Sequence, residues 1–372
     1  MTSSVPMPAA SASASASVPV AAPSPGERLD PGAGPEAVIR AVDLAKTFRL
    51  GFWRKRVEAV RGMTFEVRRG EVFGFLGPNG AGKTTTLKML MGLIFPTRGR
   101  AEVLGEPVPS ARARRRLGYL PETPYFYEYL TPGEFLDFAG TLCDVPARTR
   151  KRRASELIAR VGLAHAVGRP LRKFSKGMLQ RIGIAQALMG DPELVVLDEP
   201  MTGLDPIGRK EIRDLILELR AQGKTVLFST HILPDVEMTC DRVAIAVSGR
   251  LRSVGPLGAL LSARLLATEV VLRAGVDGRL PAIPDGSRRL PAAGEGDLAV
   301  ELPAGVDVDE FLRTALGLGA RVVTVAPRRE SLEDLFLREA SQPEPASTTP
   351  RPGAGPGQDD RVEALREPRS AP

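Results

Sequence analysis

The chain has 372 residues, a length that suggests about two domains of ordinary size. Two cysteines and two histidines are too few for a disulfide framework, a zinc site or histidine-based metal chemistry. No window approaches the roughly 18–20 consecutive apolar residues of a membrane-spanning helix. The N-terminus has neither the basic region nor the apolar stretch of a secretory signal. These features predict a soluble, intracellular protein.

The formal net charge is +7, from 51 basic and 44 acidic residues. Such a charge can reflect binding to nucleic acid, binding to anionic lipid headgroups, or only a solvated surface. Basic clusters occur at 54–56, 112–116 and 148–153. None of them alternates with aromatic residues as a groove for single strands does. We therefore prefer a solvated surface, keep a lipid surface as the alternative, and predict no nucleic-acid partner.

Both ends of the chain have a biased composition. Residues 1–35 contain 22 Ala, Ser or Pro, and residues 341–372 are rich in Pro, Gly and Arg. Such segments cannot bury enough apolar surface to offset their conformational entropy. We therefore predict disordered tails at 1–35 and 341–372.

The segment after Pro35 consists of short apolar runs separated by Gly and charged residues. It predicts strands at 38–44 and 63–67 with a basic, aromatic loop at 49–56 between them. A continuous apolar strand at 71–76 leads into a Gly-rich turn and a helix over 84–94. Similar strands are predicted at 193–197 and 225–228, the second preceded by a helix at 212–220. This alternation indicates an α/β fold with a mainly parallel sheet, which binds ligands at the carboxyl ends of its strands.

Residues 131–190 interrupt this alternation with helices at 132–141, 150–161 and 176–189. They predict a helical insertion at about 120–190 within a sheet domain that spans 36–255. After a Gly-, Pro- and Arg-rich stretch at 274–293, strands are predicted at 298–302 and 320–325. Asp307 and Ser331 begin helices with sequences that resemble capping boxes. These elements predict a small C-terminal α+β domain at 266–340.

The turn after the strand at 71–76 fits the pattern G-x-x-x-x-G-K-[ST] between a strand and a helix. Its glycines allow successive backbone N–H groups to surround a phosphate, and the following helix adds its positive dipole end. Lys83 would reach the β- and γ-phosphates, and the Thr84 hydroxyl would bind magnesium. The turn therefore predicts a site for a nucleoside triphosphate and Mg²⁺. The residues predicted to line it are Gly77, Pro78, Asn79, Gly80, Ala81, Gly82, Lys83, Thr84 and Thr85.

The buried strand at 193–197 ends in two adjacent carboxylates, Asp198 and Glu199. At the carboxyl edge of the sheet, Asp198 would hold the magnesium ion beside the phosphates. Glu199 would orient and deprotonate the attacking water. The pair predicts hydrolysis of the nucleotide, with Glu199 and Lys83 as catalytic residues.

Three further short motifs follow a recognisable order. Phe174-Ser175-Lys176-Gly177-Met178-Leu179-Gln180-Arg181 resembles the signature segment of ATP-binding cassettes. Gly203-Leu204-Asp205-Pro206 resembles their D-loop, and Ser229-Thr230-His231 their switch histidine. Together with the phosphate loop and Asp198-Glu199, they make residues 37–255 similar to the nucleotide-binding subunit of an ATP-binding-cassette (ABC) transporter. Residues 266–340 resemble the small C-terminal domain of drug- and polysaccharide-exporter ATPases.

The resemblance implies a P-loop NTPase fold with an antiparallel β subdomain and a helical insertion that contacts a permease. It implies a homodimer that closes head to tail, so that Ser175 and Gly177 of one chain complete the ATP site around Lys83 of the other. It also places Asp205 at the nucleotide and assigns contact with the γ-phosphate and water to His231. For Ser175, an ordinary helix N-cap is the alternative interpretation.

At one position of the nucleotide site several residues are candidates, and at another the chain departs from the family. Phe48 matches the aromatic residue that stacks on adenine in the family. Phe52 and Trp53 compete for that role, and packing of Phe48 in the core is the alternative. Glu122 stands where the family usually has glutamine, and its carboxylate could still ligate magnesium.

The four tyrosines of the chain (Tyr119, Tyr125, Tyr127 and Tyr129) fall within eleven residues, with Phe126 among them. One interpretation is core packing beneath the helical insertion. We prefer docking to the permease, because aromatic residues are typical of interface hot spots.

These observations predict the ATP-hydrolysing subunit of an ABC exporter, peripheral on the cytoplasmic face of the cell membrane. Two copies would drive separate, polytopic permease subunits. The alternative is a soluble ABC ATPase that acts on ribosomes, DNA or cofactor assembly. A single P-loop and the lack of long coiled coils argue against it.

Overall fold

The computed structural model describes residues 36–51, 55–262, 265–291, 294 and 296–341. The tails predicted to be disordered, 1–35 and 341–372, lie outside the described residues except for Ser341, which ends a helix, so the prediction is wrong at that residue. Phe52 and Trp53 also lie outside the described residues.

The first sheet is antiparallel, with strand order β2-β1-β4-β5. Its strands are β1 (Ala37–Leu50), β2 (Lys55–Arg68), β4 (Arg98–Val103) and β5 (Glu106–Pro107). The predicted loop at 49–56 is too long, because β1 and β2 keep pairing as far as Leu50 and Lys55. The first four residues of β2 are exposed. Such a strand end has no buried face, so it leaves no hydrophobic pattern in the sequence.

The central sheet has the order β10-β9-β3-β8-β7-β6. Its strands are β3 (Val72–Leu76), β6 (Leu117–Leu120), β7 (Leu194–Asp198), β8 (Thr225–Thr230), β9 (Arg242–Val247) and β10 (Arg250–Pro256). All neighbouring pairs are parallel except β9 and β10. Every residue of β3, β7 and β8 is buried, as their continuous apolar runs predict. The prediction of a mainly parallel sheet is confirmed.

Eight helices accompany these two sheets within the described residues. They are α1 (Lys83–Leu90), α2 (Ala111–Arg115), α3 (Pro132–Leu142), α4 (Ala147–Arg160), α5 (Lys176–Leu188), α6 (Pro206–Ala221), α7 (Leu233–Thr239) and α8 (Leu257–Ser262). Helices α3, α4 and α5 share one buried cluster with β7 and β8, which confirms the helices predicted between 131 and 190. The prediction for α1 is wrong at its end. Gly92 adopts φ +65° and the Leu93 N–H bonds back to the Lys88 carbonyl, which terminates the helix before Ile94.

The third sheet is antiparallel, with the order β12-β13-β11-β14. Its strands are β11 (Leu265–Arg273), β12 (Arg288–Leu290), β13 (Asp297–Pro303) and β14 (Arg321–Arg329). Helix α9 (Val308–Gly317) packs Phe311 onto this sheet. Helix α10 (Leu332–Ser341) instead buries Leu332 and Leu335 in a cluster with residues of β3, α7 and β9. Helix α10 is thereby anchored to the central sheet.

Candidate functional site

Four neighbouring strands of the central sheet end at the same edge. The phosphate loop follows β3, His231 follows β8, Asp198 and Glu199 lie at the end of β7, and Glu122 follows β6. Parallel strands place their carboxyl ends together, and ligands bind there in open α/β sheets. The structure therefore brings together residues that are far apart in the sequence.

The phosphate loop needs its glycines for two physical reasons. Gly80 and Gly82 adopt φ values of +82° and +91°, which disfavour side chains with a Cβ atom. A Cβ atom on Gly82 would lie 2.5 Å from the Ala59 carbonyl oxygen, and one on Gly77 would lie 2.4 Å from that of Ala246. At Gly77 and Gly82 the loop is thus packed so closely against its neighbours that only glycine fits.

Lys83 is buried at the start of α1, with 6% of its side chain exposed. Its Nζ donates hydrogen bonds to the carbonyl oxygens of Gly77 (2.7 Å) and Pro78 (3.3 Å). The same ammonium lies 3.1 Å from Oε1 of Glu199. A positive charge is therefore held inside the loop, where a bound phosphate would need it.

Asp198 is completely buried at the end of β7. Its Oδ1 accepts hydrogen bonds from the hydroxyls of Ser229 (2.6 Å) and Thr84 (3.2 Å). Burial raises the pKa of Asp198, the two hydroxyls oppose that rise, and the nearby Glu122 and Glu199 reinforce it. Its buried Oδ2 has no hydrogen-bond partner in the part of the chain that the structure describes. An unpartnered carboxylate oxygen beside the Thr84 hydroxyl is a donor set that fits Mg²⁺.

Glu199 is held by contacts on both carboxylate oxygens and on its backbone. Oε2 accepts a hydrogen bond from the Thr202 hydroxyl at 2.8 Å and lies 2.9 Å from Nδ1 of His231. Its backbone N–H donates to the Ser229 hydroxyl at 2.9 Å. The residue adopts φ +51°, a left-handed conformation that is strained for a side chain of this size. This strained conformation points the carboxylate at Lys83 and His231.

Three residues contact or surround this cluster without having been predicted from the sequence. The hydroxyls of Ser229 and Thr202 hydrogen-bond to the carboxylates Asp198 and Glu199. The Tyr119 hydroxyl is buried at the same edge of the sheet. Its pKa is raised by burial and by the charges of Asp198 and Glu122. Ser229 and Thr202 lie within a few residues of predicted site residues, a signal that could have found them. Tyr119 was grouped with the other tyrosines instead.

The signature segment forms the exposed start of α5. The Ser175 hydroxyl accepts a hydrogen bond from the Met178 N–H at 3.3 Å, so the N-cap interpretation is confirmed. A Cβ atom on Gly177 would lie 3.1 Å from the Leu204 side chain. Asp205 caps α6 through a 2.6 Å hydrogen bond from the Gly208 N–H. Within the described residues, neither Ser175 nor Gly177 hydrogen-bonds to the phosphate loop of its own chain.

The remaining predicted nucleotide contacts are more exposed. Phe48 lies in β1 opposite Val57 and is half-buried, with the Lys46 ammonium 5.2 Å from its ring centroid. It does not belong to the buried clusters of the described residues, so core packing is not its role. Glu122 is exposed just beyond the end of β6.

The aromatic residues after β6 divide into two groups. The exposed fractions of Tyr125, Tyr127 and Tyr129 are 93%, 60% and 81%. Phe126 packs against the core instead, with its ring centroid 5.3 Å from that of Phe135. Core packing therefore explains Phe126 but not these three tyrosines.

Comparison with known proteins places the chain in a family. Residues 60–202 match the family described as ABC transporter. An ABC transporter ATP-binding protein of Synechocystis is 44% identical over 305 residues, which cover 81% of this chain and 84% of the relative. The chain belongs to the ATP-binding subunits of ABC transporters. Members of this family are ATPases that work with the membrane components of transporters. This membership favours the transporter prediction over the soluble ATPase.

One more relative and one solved structure are also similar to this chain. The Nod factor export ATP-binding protein I of Ralstonia nicotianae is 38% identical, covering 59% of this chain and 67% of the relative. A solved structure of an ATP-binding subunit of an ABC transporter is 34% identical with a TM-score of 0.54, covering 60% of this chain and 91% of that one. The predicted cassette fold is thereby confirmed. No helix of the described residues is long and apolar enough to span a bilayer.

Proposed function

We propose that this subunit hydrolyses Mg²⁺-bound ATP at the carboxyl edge of its central sheet. In this proposal two copies close head to tail and drive polytopic permease subunits, with export as the direction. The observation that carries the proposal is the position of Glu199. Its carboxylate lies between the Lys83 ammonium, at 3.1 Å, and the His231 ring, at 2.9 Å.

The contacts suggest a distinct role for each polar group. Lys83 and the backbone N–H groups of residues 79–85 bind the phosphates. Glu199 acts as the general base towards the attacking water, and His231 orients that water and the γ-phosphate. Thr202 and Ser229 fix Glu199, so that the base is positioned before the substrate binds.

The proposed metal ligands are the oxygens of Thr84 and Asp198, with Glu122 able to join them. The unpartnered Oδ2 of Asp198 and its pKa, which burial raises, both indicate a carboxylate that a cation would stabilise. When bound, Mg²⁺ neutralises the charge that develops on the phosphates. Phe48 is proposed to stack on the adenine, since its ring is only partly buried.

The proposed dimer follows from the position of the signature segment. Ser175 is exposed and the start of α5 presents free backbone donors. In a head-to-tail dimer, Ser175 and Gly177 would bring these donors to the γ-phosphate held by the other copy. Asp205, at the start of α6 beside them, would lie at the same interface.

Three observations support the proposed partner, location and domain division. Tyr125, Tyr127 and Tyr129 form an exposed aromatic surface suited to a permease. A related protein is named for export, and a permease partner would hold the subunit at the cytoplasmic face of the membrane. Strands β11 and β13 and helix α9 have a buried cluster of their own, which supports an accessory domain at 266–340. The ATPase domain is then proposed to span 36–255, with its helical insertion at about 120–190.

Turnover of Mg²⁺-ATP by Glu199→Gln tests the proposal. We expect kcat to fall by ~10²–10⁴-fold, because the base is lost while the phosphate loop is kept. The affinity for ATP should be equal or higher, because Lys83 no longer has to leave a buried carboxylate to reach the phosphates. Glu193→Gln, just before the start of β7, is the matched control and should turn over normally. Wild-type turnover in Glu199→Gln would contradict the proposal.

A further inference from the structure

The hydroxyl of Tyr119 lies at the site, but it has no role in the proposed chemistry and is not part of the exposed aromatic surface. Tyr119 lies in β6, and its ring packs against the cluster that contains Leu87 and Leu90 of α1. Its hydroxyl oxygen is buried and has no protein partner among the residues that the structure describes. A buried hydroxyl of this kind requires a partner, because leaving it unpaired is costly.

The strand register places Asp198 diagonally across the sheet from Tyr119. Tyr119 pairs with Val196 across the parallel strands β6 and β7. Asp198 follows Val196 by two residues, so Tyr119 and Asp198 point to the same face of the sheet. With parallel strands about 4.8 Å apart and a rise of about 3.3 Å per residue, such diagonal neighbours are about 8 Å apart, a distance that an aromatic side chain can span.

The two side chains have complementary unsatisfied atoms. Tyr119 has a hydroxyl donor without a partner, and Asp198 has a buried acceptor, Oδ2, without one. The other oxygen of Asp198 already accepts from two hydroxyls, those of Ser229 and Thr84. The charge of Asp198 also acts on the Tyr119 hydroxyl. A single water between donor and acceptor would satisfy both, which is how most buried waters are used.

We propose that Tyr119 is a positioning residue for Asp198. Its hydroxyl holds Oδ2 of Asp198 through one bridging water, while the hydroxyls of Ser229 and Thr84 hold Oδ1. The carboxylate is then fixed through both oxygens, and Oδ2 keeps a second lone pair with which to ligate the metal ion. The inference rests on the proposed function, because it requires that Asp198 ligates Mg²⁺. The aromatic ring of Tyr119 belongs to the core, whereas its hydroxyl belongs to the metal site.

The experiment compares the affinity for a fluorescent ATP analogue with Mg²⁺ and with EDTA, in wild type and in Tyr119→Phe. This substitution removes only the hydroxyl and keeps the packing. The gain in affinity that Mg²⁺ gives should fall by about threefold to tenfold, while the affinity in EDTA and the melting temperature stay unchanged. Tyr127→Phe loses an exposed hydroxyl and is the matched control, with the wild-type gain.

The outcomes separate the two proposals. If Tyr119→Phe keeps the full Mg²⁺-dependent gain, the inference is wrong and the proposed function stands. If it weakens binding equally with Mg²⁺ and with EDTA, the hydroxyl supports the fold and not the metal, which also overturns the inference. If wild type shows no Mg²⁺-dependent gain, the proposed metal site itself fails, and the role of Tyr119 fails with it.

Discussion

The carboxyl edge of the central sheet and the aromatic segment after β6 are adjacent in the chain but differ in their surroundings. At the edge, Lys83, Asp198 and Glu199 are buried, and most of their polar atoms contact one another or a nearby hydroxyl. Only a few residues after Tyr119, the side chains of Tyr125 and Tyr129 are almost fully exposed. The first region is assembled within one chain, so its substitution should change binding or chemistry. The second has an aromatic surface that stays largely exposed, so its substitution should change association.

The largest expected effect that distinguishes the two regions is that of Lys83→Ala on nucleotide binding. Removing the ammonium deletes charge-assisted hydrogen bonds to phosphate, which corresponds to about 3 kcal/mol, or roughly 100-fold in affinity. Titration with a fluorescent ATP analogue measures it. Lys88→Ala, an exposed residue of the same helix, should bind as wild type does. Unchanged affinity for the ATP analogue in Lys83→Ala would contradict the proposal that this loop binds the phosphates.

A smaller effect is expected for the double substitution Tyr125→Ala and Tyr127→Ala. Truncating aromatic anchors at an interface costs about 2 kcal/mol in association, so co-purification with the membrane subunit should weaken. Melting temperature and basal ATP turnover should stay as in wild type, because both side chains are exposed.

Phe126→Ala is the contrasting variant for the tyrosine pair. Its ring packs on Phe135, so its truncation should lower the melting temperature instead. If the tyrosine double variant loses folded protein as Phe126→Ala does, the exposed surface contributes to the fold and the comparison between the regions breaks down.

The sequence predicted the buried parts of the site well, because their signals are local. The phosphate loop and Asp198-Glu199 each follow a continuous apolar strand, so both motifs could be placed at one edge of the sheet. Helix α1 was predicted too long because the cap at Gly92 depends on a backbone hydrogen bond to Lys88 and not on hydrophobic spacing. Tyr119 shows a similar limit. Whether the hydroxyl of a tyrosine is buried at the same edge as Asp198 or lies on an exposed surface depends on the pairing of β6 with β7. That pairing is a contact between residues about 80 apart in the chain.

The mass of the Glu199→Gln variant in the presence of ATP, measured by size-exclusion chromatography with light scattering, tests the account's central claim most directly. That claim is that ATP binds at the carboxyl edge of one copy and is covered by the signature segment of another. The predicted result is the mass of two chains with ATP and of one chain without it. Adding Ser175→Arg should return the mass to one chain while ATP binding persists. Ser155→Arg, at an exposed position of α4, should leave the dimer intact. An ATP-dependent dimer that survives Ser175→Arg, or no dimer in Glu199→Gln at saturating ATP, would contradict the account.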